Sequence, residues 1–90
     1  MDIEYDPAKN ERNIAVRGLS FELARSFDWN HALVVEDIRQ EYPEARFQAF
    51  GSITDRLYVL VFTIRGSSLR ILSLRKANAR EIARYEKAKP

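Results

Sequence analysis

ARFQAFGSITDRLYVLVFTIRGSSLRILSLRK, residues 45–76, decides the fold of this 90-residue chain. In its first part Arg46, Gln48 and Phe50 alternate with Phe47, Ala49 and Gly51, the period of a strand with two unlike faces. Thr54-Asp55-Arg56 supplies a hairpin connection into LYVLVFTI, the most apolar segment of the chain. Apolar side chains on both faces require cover on both sides, so this strand is expected at the centre of the sheet. Arg65-Gly66-Ser67-Ser68 makes the next turn, and Leu69 to Leu74 returns antiparallel. The apolar pattern of Leu69, Ile71 and Leu72 then breaks into a basic cluster at Arg75 and Lys76.

Working outward, Leu33, Val34, Val35 and Ile38 read as a further strand running into the charged stretch EDIRQEY, with Pro43 interrupting before the next strand. Ahead of it, Asp6 is an N-cap and Pro7 a first helical residue, and the helix ends at Gly18, whose missing Cβ suits the left-handed C′ position. Ser20 caps a second helix, FELARSF, with Phe21, Ala24 and either Phe27 or Leu23 facing the core and Trp29 at its end. Ile3 to Tyr5 is short and extended. On the C-terminal side, Asn78 and Glu81 match a capping box that opens a helix through Tyr85 to Lys87, with Ala79, Ile82 and Ala83 docking on the sheet. The pattern predicts an α+β fold of one domain, residues 1–90: two N-terminal helices, a four-stranded antiparallel sheet with a short extra N-terminal strand, and a C-terminal helix, the helices packed on one side. No repeat or linker divides it.

Composition bounds the function. With 46% apolar and 31% charged residues of both signs, the chain is expected to fold, though at 10.5 kDa it buries only about 60–65% of its unfolded surface. The absence of cysteine excludes disulfide scaffolds and thiolate metal sites, and His31 is the single histidine. No apolar run approaches a membrane span of roughly 18 residues, and the acidic start MDIEYD is unlike a signal peptide, so a cytoplasmic protein is expected. Charge is polarised: residues 1–64 hold 7 basic and 11 acidic side chains, net −4, whereas residues 65–90 hold 8 and 2, net +6. A basic C-terminal third suits a phosphate-rich ligand or an acidic protein surface.

Four segments, DPAKNERN (6–13), RGLSFELA (17–24), EARFQAFG (44–51) and RILSLRKANAREIARYEKA (70–88), resemble in order and spacing the BrnT toxins, the DUF497 family of type II toxin–antitoxin systems. The resemblance implies a RelE-like fold, a ribonuclease activity that arrests translation, and neutralisation by a co-encoded BrnA-type antitoxin. That antitoxin carries a ribbon-helix-helix domain, so DNA is reached only through it. Family members usually carry histidine where this chain has Arg17, ahead of the SF of the next helix. The substitution removes the obvious titrating group. Another residue transfers protons, or cleavage rests mainly on electrostatic stabilisation, or this member is weakened.

RNA cleavage by attack of a ribose 2′-hydroxyl needs one proton removed, another supplied to the leaving oxygen, and stabilisation of the charge growing on phosphorus. Arginine suits the last task, because its planar fork holds two phosphate oxygens and stays charged. The acidic residues form no recognisable ligand set, so neither metal nor cofactor is expected. Arg46 in the first strand of the hairpin, Arg70 in the last strand, and Arg75 with Lys76 at its exit are the candidate phosphate contacts, against the plainer reading that they are simply solvated on an open face. Lys9, Asn13 and Arg17, at i, i+4 and i+8, line one helical stripe, and Arg80, Arg84 and Lys87 form another. Glu81 is a candidate general base, an arginine partner, or only the N3 member of the capping box. Tyr85 is a candidate proton donor, a stacking group, or core filling beside Ile82. His31 enters only if its loop approaches the site, and Trp29 with phenylalanines 21, 27, 47, 50 and 62 reads as core. Two other classes stay open: an antitoxin-binding module without activity, and an RNA-binding domain without chemistry.

Overall fold

The computed structural model describes residues 2–88. Strand β1 (Asp2–Glu4) leads into helix α1 (Pro7–Arg17), two 3₁₀ segments (Phe21–Ser26 and Trp29–His31), strands β2 (Leu33–Asp37), β3 (Arg46–Ile53), β4 (Arg56–Arg65) and β5 (Ser68–Lys76), and helix α2 (Ala79–Ala88). The local signals act as expected. The Asp6 carboxylate accepts from the Ala8 N–H, Pro7 opens α1, and Gly18 closes it at φ +70°. Asn78 and Glu81 exchange side-chain to backbone hydrogen bonds of 2.9 Å each at the start of α2.

Strands β2 to β5 form an antiparallel meander, and the sheet order β1-β5-β4-β3-β2 puts the apolar β4 at its centre. The β3–β4 hairpin turns through Thr54 and Asp55, with Thr54 at φ +58°.

Four expectations are corrected. The sheet has five strands and is mixed, because β1 pairs parallel with β5 through Ile3↔Leu69. It therefore departs from the plain four-stranded antiparallel sheet of the RelE-like plan; three residues are too short to carry a pairing direction in their own pattern. The second helix is a 3₁₀ segment. Phe21, Ala24 and Phe27 recur every three residues, which lines them up at 3.0 residues per turn, and all three are buried while Leu23 is 37% exposed. Strand β2 ends at Asp37 and leaves Ile38 outside it, 80% exposed. The helices are also not on one side.

Cover on the two faces comes from different segments. On the first face Leu19, Phe21, Ala24 and Phe27 pack against Ala49, Leu60, Phe62, Leu69, Ile71 and Leu74. Here Gly51 is required by close approach: a Cβ on it would lie 2.5 Å from the Phe27 ring. On the second face, Tyr85 of α2 joins Phe50, Leu57, Val59 and Ala77. Helix α1 lies along β5 beyond the end of β1, where buried Asn13 donates from Nδ2 to the carbonyls of Leu74 and Leu19, 2.9 Å each. No helix among the described residues is long and apolar enough to cross a membrane.

Candidate functional site

The second face is covered over only part of its width, and the pairing register shows what the remainder presents. Residues paired across a ladder share a face. One row holds Thr63, Arg70 and Glu4, and Arg46 with its partner Asp37, one residue beyond the Phe47↔Phe62 pair, extends it onto β3 and β2. The next holds Val35, Gln48, Val61 and Ser73, and the next Leu33, Phe50, Val59 and Arg75. Helix α2 covers the last of these rows through Phe50 and Val59. Gln48, Val61 and Ser73 stay half-buried, forming the floor of a trough with Arg46 and Arg70 on one bank and Arg75 on the other.

Arg70 and Arg75 are five residues apart, and in a regular strand they would point to opposite faces. A β-bulge brings them together. Val61 pairs with Ser73 but Phe62 pairs with Ile71, so Leu72 has no ladder partner and the pleat shifts phase across it. The shift is written in the apolar pattern: Leu69 and Ile71 face the first core, and the next residue to do so is Leu74 rather than position 73. The adjacent apolar pair Ile71-Leu72 was the available signal. Along β4 the rows of Arg70 and Arg75 lie four residues apart, about 13 Å, and Arg46 and Arg70 lie two strands apart, about 10 Å.

The guanidinium groups differ in how far their donors are used. Arg75 gives Nη1 and Nη2 to the two carboxylate oxygens of Glu81, both at 2.8 Å. That fork, helped by the Asn78 N–H, brings the buried Glu81 carboxyl down to about 2 against the opposing effect of burial. Arg70 has only a loose 3.6 Å pairing with Glu4. Arg46 lies over the Tyr42 ring with its guanidinium carbon 4.1 Å from the centroid. Glu44 binds Arg65 at 2.9 Å, and its carboxyl is lowered by Arg65 first and then by the charges of Arg70 and Arg46. Those two bank arginines therefore lie within electrostatic reach of one carboxylate.

The other expected site residues divide. Lys9, Asn13 and Arg17 share a groove of about 230 Å³ with Leu72 and Ser73, at the β5 side of the trough. Asn13 is structural there, and its Oδ1 accepts from Arg17 Nη1 at 3.1 Å. Lys76 pairs with Tyr58, which packs on the first face, so it points away from the trough. Arg84 lies 5.8 Å over the Phe50 ring and Arg80 is exposed on α2. Tyr85 is buried, its hydroxyl donating to the His31 carbonyl at 2.7 Å. The His31 ring itself is exposed and paired with Asp28 at 2.9 Å. Among the described residues no three His, Cys, Asp or Glu side chains gather as metal ligands.

A trough floored by Gln48, Val61 and Ser73, free of acidic side chains and flanked by guanidinium groups, is a surface for a polyanion. A family model described as the ribonuclease toxin BrnT of type II toxin–antitoxin systems matches residues 5–81. The chain belongs to the BrnT family. No curated protein matches it. The BrnT match takes in every strand from β2 to β5 and α2 as far as Glu81, and so all three arginines of the trough. Membership in BrnT makes RNA the substrate class and an antitoxin the partner class.

Sequence reasoning overlooked one part of this BrnT surface, the loop after β2. Asp37 is buried and takes Arg39 at both oxygens, Nε to Oδ1 at 2.8 Å and Nη2 to Oδ2 at 2.7 Å. This pairing brings the Asp37 carboxyl down to about 2. EDIRQEY reads only as a charged stretch at the end of a strand, and the alternation Asp37-x-Arg39 is the one signal in it of an internal pair.

Proposed function

We propose that this protein is an endoribonuclease toxin whose domain spans residues 1–90 and whose active surface is the trough between Arg46, Arg70 and Arg75. The single observation behind this reading is that three arginines from separate positions on β3 and β5 share one open face, two of them only through the Leu72 bulge. The scissile phosphate sits between the banks. Arg70 and Arg46, whose forks have no bidentate partner among the described residues, take its non-bridging oxygens as charge grows on phosphorus. Arg75, fixed by Glu81, supplies a positioned charge from the opposite bank.

The 2′-hydroxyl attacks the adjacent phosphorus and gives its proton to water, the P–O5′ bond breaks to leave a 2′,3′-cyclic phosphate, and the departing 5′-oxygen takes a proton from a second water to become a hydroxyl. Glu81 is unsuited as the base, because a carboxylate held near 2 binds protons weakly. Tyr85 is spent on the His31 carbonyl. Catalysis then rests on orientation and charge rather than on a titrating pair, which fits Arg17 standing where the family usually has histidine. Lys9 and Arg17 with Arg80 and Arg84 serve only as peripheral RNA contacts, Lys76 on the opposite face takes no part, and no metal or cofactor takes part. A BrnA-type ribbon-helix-helix antitoxin neutralises the toxin in the cytoplasm by laying an acidic segment on the same arginines.

Expression of wild type, Arg70→Gln and Arg75→Ala without antitoxin tests this. Wild type is expected to stop growth and fragment cellular RNA, and both variants to spare it. One observation favours a second reading: both candidate proton-transfer groups are engaged, Glu81 by Arg75 and Tyr85 by the His31 carbonyl. Intact RNA and normal growth with wild type, alongside a stable antitoxin complex, would establish a binding module instead.

A further inference from the structure

Arg39 is a cation on this side of the molecule that nothing above employs. It sits in the loop between β2 and β3, and its guanidinium is held by a carboxylate of unusual placement. The Asp37 side chain is 2% exposed while that of Arg39 is 70% exposed. Ordinary surface ion pairs hold neither end in place and contribute little. This pair has a buried, fixed end: Asp37 also accepts from the Arg39 backbone N–H at 3.2 Å and from the Tyr42 hydroxyl at 3.4 Å. The exposed end is therefore held in one orientation before any ligand arrives, so little side-chain entropy is lost on binding.

Position supports a role beside the trough. Asp37 is the ladder partner of Arg46, so the pair sits at the outer end of the Arg46–Arg70 row. Arg39 is also the like charge that opposes Arg75 across the face. Only Nε and Nη2 are used by Asp37; Nη1 makes no hydrogen bond among the described residues, on a side chain that is 70% exposed. On the same loop, Tyr42 underlies Arg46 and links the two guanidinium groups through one carboxylate.

We propose that Arg39, aimed by the buried Asp37 carboxylate, is a second phosphate subsite that binds the phosphate of a nucleotide neighbouring the one cleaved. The proposal rests on the reading of the trough as an RNA site. Asp37 is a positioning residue in it, and the ligand is the backbone phosphate of single-stranded RNA.

The test uses a mixed-sequence 2′-O-methyl oligoribonucleotide, which lacks the attacking hydroxyl, and follows its dissociation constant from 50 to 200 mM NaCl for wild type, Arg39→Gln, Arg39→Lys and Arg25→Gln. Each phosphate contact on a single strand contributes a slope of about 0.7 in log K against log salt. Arg39→Gln is expected to lower the slope by about 0.7; it also leaves the buried Asp37 carboxylate without its fork and so melts lower, and the slopes are compared below both transitions. Arg39→Lys keeps the charge and the slope, and gives the readout if Arg39→Gln does not fold. Arg25, paired with Glu22 on the other side of the molecule, is expected to leave the slope alone when changed to Gln. A wild-type slope in Arg39→Gln, an equal fall in Arg25→Gln, or a fall of about 0.7 in Arg39→Lys overturns the subsite while leaving the trough standing. Salt-independent binding by wild type overturns both.

Discussion

The two faces of one sheet are built from the same strands by the same alternation and end in opposite conditions. On the first face, Leu60, Ile71, Leu74 and Ala49 are fully enclosed under Leu19, Phe21, Ala24 and Phe27. On the second, α2 has 10 residues, about 15 Å of helix, and shelters Phe50, Leu57 and Val59 before it runs out. Beyond it the pleat carries Gln48, Ser73, Thr63 and the arginines. The contrast shows that the site is not an addition to the fold. It is the part of a sheet face that a short helix leaves uncovered, supplied with charge by a bulge.

The contrast is broken most severely from the closed side. Leu60→Ala, at a fully buried position of the central strand, is expected to cost about 2–5 kcal/mol and to lower the melting temperature by more than ten degrees, measured by thermal denaturation. RNA cleavage per folded molecule should not change. Next is Gly51→Ala, which drives a methyl against Phe27 and is expected to cost about 1–3 kcal/mol in urea denaturation. Combining it with Phe27→Leu should recover part of that loss, because the ring is the obstacle.

The smallest effect belongs to the half-open side and to acid. Glu81 has an ordinary value of 4.5 that folding depresses to about 2, so its contribution is complete above pH 4.5 and is lost as pH falls toward 2. Asp37, depressed from 3.8 to about 2, adds to the same loss over a slightly lower range. Glu81→Gln is expected to flatten the acid limb of stability between pH 4.5 and 2, read as melting temperature against pH. An unchanged limb would show that the Arg75–Glu81 fork does not tie α2 to β5.

Much of the closed side was legible from the sequence. Hairpin spacing, the apolar run of β4, the Asp6-Pro7 start, Gly18 and the Asn78–Glu81 box each act within a few residues, and each is found in place. What the sequence hid is non-local or a question of phase. The parallel partner of Asp2–Glu4 lies more than sixty residues away. The 3₁₀ segment was hidden because its apolar positions also suit an α-helix until burial separates Leu23 from Phe27. That Arg70 and Arg75 share a face could not be had from counting by two, since the answer turns on Leu72. The Asp37–Arg39 pair was concealed by resembling solvated charge.

The central claim is that the arginines of the open face, and not the positive charge of the chain in general, act on RNA. The direct test is the single-turnover cleavage rate of Arg46→Gln/Arg70→Gln beside that of Arg25→Gln/Arg56→Gln, two pairs of equal charge change, the first in the trough and the second outside it, at the Glu22 pair and at the β3–β4 turn. The first pair is expected to be slowed at least about 10²-fold at wild-type melting temperature, and the second to cleave at the wild-type rate. Equal rates in the two double variants would contradict the account.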